Sequence, residues 1–175
     1  RYKLGFVGLA NKSAGVVCAS HHIKRLCVFA GVKESKIVVI RLAIEEDRFP
    51  DFKEKTPFPS FVHLGRLTGK KGPLVTLKAF ELVQNMIPDA QMTFIGDGPL
   101  KRELMEAVKL LDLERNVNLI GGKSWKASME EVSKHWVFCQ HSVTYIDGDQ
   151  EGFGLAPAEA AMTLSSIVYR LETPY

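Results

Sequence analysis

The chain has no uninterrupted run of about 18 apolar residues, so no segment is expected to cross a membrane as a helix. Its first residues, Arg1-Tyr2-Lys3-Leu4-Gly5-Phe6, lack the long apolar core of a signal peptide. Cysteine is sparse. Cys18, Cys27 and Cys139 are odd in number and have no metal-ligand spacing, which reads as reduced thiols in a cytosolic protein. His21, His22, His135 and His141 stand in no pattern with carboxylates, so a metal is not expected and each reads as a surface or packing residue. His63 lies within an apolar run and reads as a satisfied core histidine. No basic stripe alternates with aromatics, which argues against a nucleic-acid partner. There is no internal repeat and no low-complexity tract.

The 175 residues are 46% hydrophobic and 25% charged, an ordinary globular composition with room for a real core. The net charge of +3 is unevenly spread. Residues 1–43 carry eight Lys/Arg against Glu34 alone, whereas residues 140–175 carry Arg170 against five acidic residues. A basic end suits an anionic membrane surface or a lipid-phosphate acceptor; a solvated helix face is the plainer reading.

Hydrophobic periodicity alternates between short runs and amphipathic stretches. Strands are expected at 61–65, 91–95, 116–120, 136–140 and 166–170, and helices at 73–87, 99–111, 127–135 and 155–164. In the first helix Leu74, Leu77, Phe80, Val83 and Ile87 form the stripe, and Pro88 ends it. In the last, Leu155, Ala158, Ala161 and Met162 recur at helical spacing. This order predicts an α/β fold with a doubly wound parallel sheet. Upstream, residues 20–31 read as helix, 36–41 as strand, and the proline-rich 51–60 as a linker.

Two segments carry chemistry. Gly65-Arg66-Leu67-Thr68-Gly69-Lys70-Lys71-Gly72 lies between a strand end and a helix opened by Pro73. In an open α/β sheet that places a guanidinium and two ammonium groups at the ligand-binding edge. Arg66 offers a planar fork to a diphosphate and Lys71 a mobile point charge, although a solvated basic loop has the same composition. The second segment is Glu151-Gly152-Phe153-Gly154-Leu155-Ala156-Pro157-Ala158-Glu159. A glycine-containing turn feeding a helix N-terminus seats an anion, because the first amides are unpaired and the dipole favours negative charge. Carboxylates flanking such a seat suit a ligand with both phosphates and hydroxyls, as in a nucleotide sugar. Between these segments, Gly96-Asp97-Gly98-Pro99 reads equally as a tight turn and as the floor of a cleft. Gly121-Gly122-Lys123 marks the end of another strand. Asp147-Gly148-Asp149 has the form of a metal-binding Asp-x-Asp triplet, but it runs directly into Glu151 and reads as an acidic loop.

Taken in order, Gly65-Arg66 with Lys71-Gly72, Gly96-Asp97-Gly98-Pro99, and Glu151 through Glu159 resemble the donor-binding domain of retaining GT-B glycosyltransferases, specifically glycosyltransferase family 4. Val17-Cys18-Ala19-Ser20 resembles the segment closing that family's first domain, and Lys36 through Pro50 its interdomain crossover. The resemblance implies that residues 1–60 are the tail of an acceptor-side domain with crossover and linker. Residues 61–175 are then a C-terminally incomplete, Rossmann-like nucleotide-sugar domain. Ala43, Glu45, Leu164 and Ser166 depart from the family pattern at the crossover and before the last strand.

The resemblance also implies roles. Arg66 and Lys71 neutralise the departing diphosphate, with help from the amides of Phe153, Gly154 and Leu155. Gly65, Gly96 and Gly98 line the donor cleft, Glu151 meets the sugar hydroxyls, and Glu159 meets the ribose. The donor is a nucleoside-diphosphate sugar, the acceptor a sugar, glycan or lipid-linked molecule, and neither metal nor other cofactor is expected. The setting is cytoplasmic, with peripheral membrane contact through the basic N-terminal segment. Acceptor residues belong to the other domain, so this chain alone is expected to bind without turning over. A non-catalytic or degenerate nucleotide-binding fragment is the alternative. A dinucleotide-dependent oxidoreductase is disfavoured because Gly-Arg-Leu-Thr-Gly stands where G-x-G-x-x-G is needed.

Overall fold

The computed structural model of the chain describes residues 2–146, 149, 151–163 and 165–171. They form two compact units, residues 1–43 and 44–175.

The smaller unit contains α1 (Tyr2–Lys12), β1 (Val16–Cys18), α2 (His21–Ala30) and β2 (Ile37–Val39). The two strands pair in parallel, Val16 opposite Ile37, over a small core of Ala10, Cys18, Val32 and Ile37. Ser20 caps α2 by accepting from the Ile23 amide at 3.2 Å. α1 was not expected from the sequence. Gly5 and Gly8 lie inside it, and glycine is the weakest helix former after proline.

The larger unit contains β3 (Ser60–Leu64), α3 (Pro73–Met86), β4 (Gln91–Ile95), α4 (Lys101–Leu110), β5 (Val117–Gly121), α5 (Trp125–Ser133), β6 (Val137–Ser142), α6 (Leu155–Met162) and β7 (Ser166–Leu171). All five strands are parallel, in the order β5-β4-β3-β6-β7. Alternate strand positions feed two cores. Leu77, Phe80, Met92, Phe94, Leu104 and Val108 bury α3 and α4 on one face. Val62, Ile95, Val132, Phe138 and Ala160 bury α5 and α6 on the other. Helices on both faces bury both strand faces, which is why Met92, Thr93, Phe94 and Ile95 of β4 are all buried. This is the doubly wound, Rossmann-like half of a GT-B fold.

Three helices differ from the sequence expectation, α4 beginning at Lys101, two residues late, after a turn at Pro99 and Leu100. α5 begins at Trp125, two residues early, because the Ser124 side chain accepts from the Ala127 amide and starts the helix there. α6 starts where expected, but its inward face is Ala156, Pro157 and Ala160, while Leu155 and Ala161 are exposed. Small residues at this face let the short helix lie close to the sheet. The segment 51–60 has no helix or strand before Ser60, yet it is tied to the α5 end of the unit. Lys53 N donates to Ser133 Oγ at 3.1 Å, and Thr56 N to the Lys134 carbonyl at 3.0 Å.

Candidate functional site

The chain builds β3, β4 and β5 outward in one direction, then returns to place β6 and β7 on the other side of β3. The connections leaving β3 and β6 therefore diverge, and a crevice opens at their carboxyl ends. Both charged motifs lie there.

The β3–α3 loop is fixed by backbone bonds to its neighbours. Gly65 N donates to the Ile95 carbonyl at 3.0 Å, Leu67 N to Asp97 O at 3.0 Å, and Gly96 N to Gly121 O at 2.9 Å. Gly65, Gly96 and Gly121 thus lie side by side at one sheet edge. A Cβ on Gly96 would fall on the Gly65 carbonyl oxygen, so no larger residue fits without moving the loop. Gly72, at φ 57°, opens α3 in a left-handed conformation with its Cα against the His141 carbonyl. That contact brings the β3 and β6 ends together.

Side chains close the same seam. Val143 N donates to the Lys70 carbonyl at 3.0 Å, and the Lys70 ammonium pairs with Asp149 at 3.0 Å. Lys71 forms an ion pair with Glu151, and both side chains are largely buried, at 15% and 14% exposure. Lys71 and Glu151, some 80 residues apart in the chain, thus neutralise each other. Arg66 is exposed and makes no ion pair among the described residues. α6 begins one residue after Gly154, with no side chain capping its first amides. Cations, open amides and carboxylates therefore converge on one crevice, an arrangement able to take a ligand carrying both negative charge and hydroxyls.

Glu159 lies on α6 four residues past Leu155 and eight past Glu151, half-buried, and accepts from the Trp125 indole Nε1 at 2.8 Å. Trp125 was not singled out in the sequence. Nothing in one sequence joins it to a residue 34 positions on. Asp97 has a structural part: it accepts from the Gly122 amide at 2.8 Å and pairs with Lys101 at 2.5 Å, tying the ends of β4 and β5. Those partners, Lys101 first, hold its carboxyl below the usual range. Gly98 abuts the Leu67 backbone in the same turn.

His63 departs from its expectation. It is wholly buried against Phe94, and neither ring nitrogen has an aligned hydrogen-bond partner. Burial first, then the nearby Lys71 ammonium, push its imidazole down to about 4, against a weaker pull from the Cys139 backbone. His135 is a packing residue, held between the Glu131 carbonyl and the Thr93 hydroxyl. Burial pushes the Cys139 thiol up to about 12, and Cys18 and Cys27 are free thiols 3.9 Å apart. Among the described residues, no three His, Cys, Asp or Glu side chains gather as a metal site. Asp147 and Gly148 of the Asp-x-Asp triplet lie outside the described residues, as do Leu164 and the terminal 172–175. Among the described residues no helix is long and apolar enough to cross a membrane.

The family model described as "Glycosyl transferases group 1" matches residues 44–168, well over half the chain. The chain belongs to the group 1 glycosyl transferases. Among curated members it is 32% identical over 132 residues to the amylovoran biosynthesis glycosyltransferase AmsK of Erwinia amylovora, covering 74% of this chain and 32% of that protein. It is 31% identical over 135 residues to the putative colanic acid biosynthesis glycosyltransferase WcaL of Escherichia coli, covering the same shares. This group 1 chain thus spans about a third of the length of these two relatives. Among solved structures it resembles Anabaena Alr3699/HepE, determined with UDP and glucose, at a TM-score of 0.80 and 19% identity, covering 95% of this chain and 47% of that one. The pneumococcal O-GlcNAc transferase GtfA, determined with UDP and GlcNAc, gives a TM-score of 0.79 at 21% identity, covering 99% and 33%. At these identities the structural likeness establishes the shared fold.

Proposed function

We propose that this chain is the donor-binding half of a retaining, family 4 glycosyltransferase that moves a sugar from a nucleoside diphosphate to a glycan or lipid-linked acceptor. The observation that carries the reading is the meeting of Arg66, Lys71, Glu151 and the open amides of α6 at the crevice between β3 and β6. The diphosphate lies on the Arg66 guanidinium, the Lys71 ammonium and the amides of Phe153, Gly154 and Leu155. Negative charge grows on that leaving group as the glycosidic bond breaks, so cations fixed beside it stabilise the transition state more than the ground state. Glu151, beside Lys71, accepts from sugar hydroxyls. Glu159, further along α6, accepts from the ribose. The cations and amides do the work of charge neutralisation, and no metal is invoked.

The ligands in the HepE and GtfA structures, UDP with glucose and UDP with GlcNAc, support this choice of donor class. The amylovoran and colanic acid assignments of the relatives support a role in polysaccharide biosynthesis. The free thiols favour a reducing, cytoplasmic setting. The excess of Lys and Arg in residues 1–43 favours contact with anionic lipid.

The test is calorimetric titration with UDP, GDP and ADP and their sugars. Arg66→Ala and Lys71→Ala should each weaken nucleoside diphosphate by roughly 1–3 kcal/mol, the scale of a charge-assisted hydrogen bond. The bare nucleoside should hardly respond. If both variants bind the diphosphate like the parent, the basic loop is only a solvated surface and the proposal fails.

A further inference from the structure

Glu159 is one of the carboxylates placed above at the donor site, and a half-buried carboxylate on a short helix needs something to aim it. A side chain held by one strong donor keeps one rotamer and one free oxygen, whereas an unheld one samples several. The donor here is the Trp125 indole, which can only donate and has one N–H to give. It gives that N–H to Glu159 Oε1 at 2.8 Å.

Trp125 is itself fixed on three sides. It is the first residue of α5, where the Ser124 cap sets the backbone. The Phe49 ring meets its indole edge-to-face, with centroids 5.1 Å apart at 74°. The Arg48 guanidinium lies 5.3 Å from the ring centroid and pairs with Glu45 at 3.4 Å. No part of this cluster is needed to close the core beneath the sheet. Its one contact with the carboxylate is the indole N–H on Oε1, and among the described residues no hydrogen bond or ion pair reaches the other oxygen.

From this we infer that Trp125 is a positioning residue for the nucleoside end of the site: its N–H aims the Glu159 carboxylate so that the free oxygen meets the ribose diol. Phe49 and Arg48 hold the indole plane that sets the aim. The inference rests on the donor-site reading above and adds the residue that makes Glu159 selective for a ribose carrying both hydroxyls. Without Trp125 the carboxylate remains but turns to water, and selectivity for the diol falls while diphosphate binding stays.

The test uses the full chain, titrated with UDP, GDP and ADP and with the 2′,3′-dideoxy form of whichever binds. Trp125→Phe keeps an aromatic ring for Phe49 and Arg48 but has no N–H. It should weaken the ordinary nucleotide about five- to tenfold, the worth of one ordinary hydrogen bond, and leave the dideoxy nucleotide within about twofold of the parent. Trp125→Phe combined with Glu159→Gln should bind no more weakly than Glu159→Gln alone, since both act through one contact. Equal losses with both ligands would reduce Trp125 to packing and overturn the inference. So would a loss in Glu159→Gln with none in Trp125→Phe. A parent chain that binds none of the three nucleotides overturns the donor-site reading itself, and this inference with it. If Trp125→Phe does not fold, Trp136→Phe leaves Trp125 as the sole indole. Its emission should then shift with the ribose nucleotide and not with the dideoxy form. Equal responses to the two overturn the proposal.

Discussion

Glu151 and Glu159 are two carboxylates at the same sheet edge, held in opposite ways. Glu151 is paired with a full positive charge, Lys71, and both side chains are largely buried. Glu159 is held by the neutral indole N–H of Trp125 and keeps its own charge uncompensated by any ion pair among the described residues. A neutral donor fixes direction without consuming charge; a cation does both. On the proposed reading, an arriving diphosphate would compete with Glu151 for Lys71, whereas an arriving ribose would find Glu159 already oriented. The phosphate end would then be an exchange of partners and the nucleoside end an addition.

The largest effect bears on what lies under the phosphate end. His63 is buried and neutral, its imidazole pushed down to about 4 from an ordinary 6.5 by burial and by Lys71. A group whose folded pKa lies below its unfolded value binds more protons when unfolded at intermediate pH. Stability should then fall as pH drops from about 6.5 to about 4, by roughly 3 kcal/mol in all, and level off below that. Urea melts across that window should show a steep slope in the parent and a shallower one in His63→Phe, where His135, also pushed down by burial, supplies what remains. A slope that the substitution leaves unchanged would move the effect to another group. It would also remove the claim that Lys71 acts on a buried neighbour beneath the site.

A smaller effect separates the two glutamates. Glu151→Gln removes the charge that occupies the largely buried Lys71, so free nucleoside diphosphate should bind more tightly by roughly 1–2 kcal/mol, the low end of the coupling between close charges. The same change turns one carboxylate oxygen into an NH2 donor and removes the charge that strengthens bonds from sugar hydroxyls, so the nucleotide sugar should lose its advantage over the free nucleotide. Glu159→Gln should instead weaken both ligands together. Calorimetry of each variant against nucleotide and nucleotide sugar decides it. Glu151→Gln shifting both ligands by the same amount would erase the distinction between exchange and addition.

How much of this could be read from residue order depends on range. β3, β4 and α3 lie within a residue or so of where periodicity puts them, because a strand buried on both faces and a helix with one apolar stripe each write a local pattern. α1 leaves no such pattern, with Gly5 and Gly8 breaking its only candidate stripe. At the site, Arg66, Lys71 and Glu151 stand out through their loops, and a parallel sheet necessarily brings those loops to one edge. That Lys71 and Glu151 meet directly, and that Trp125 reaches Glu159, depends on rotamers and on partners 80 and 34 residues away. His63 shows the limit most plainly. An apolar neighbourhood reveals burial, and says nothing of whether a ring nitrogen finds a partner.

The smallest expected effect is a control on the comparison. Asp97 also sits at this edge, but it is exposed and both its oxygens are engaged within the protein, by Lys101 and by the Gly122 amide. A carboxylate whose two oxygens already accept within the protein is held in place as a brace between β4 and β5 and has less to offer a ligand. Asp97→Asn should leave the affinity for nucleotide and nucleotide sugar unchanged, unlike either glutamate. Its signature belongs to stability. Because its folded pKa is lowered below the ordinary 3.8 by Lys101 and Gly122, the ionised form adds stability that is present above that value and lost as pH falls through the lowered one. In a His63→Phe background, acid melts should show this second, lower-lying loss, and Asp97→Asn should abolish it. A change in ligand affinity without a change in the acid limb would instead place Asp97 in the crevice, and the division between carboxylates that bind and carboxylates that brace would have to be redrawn.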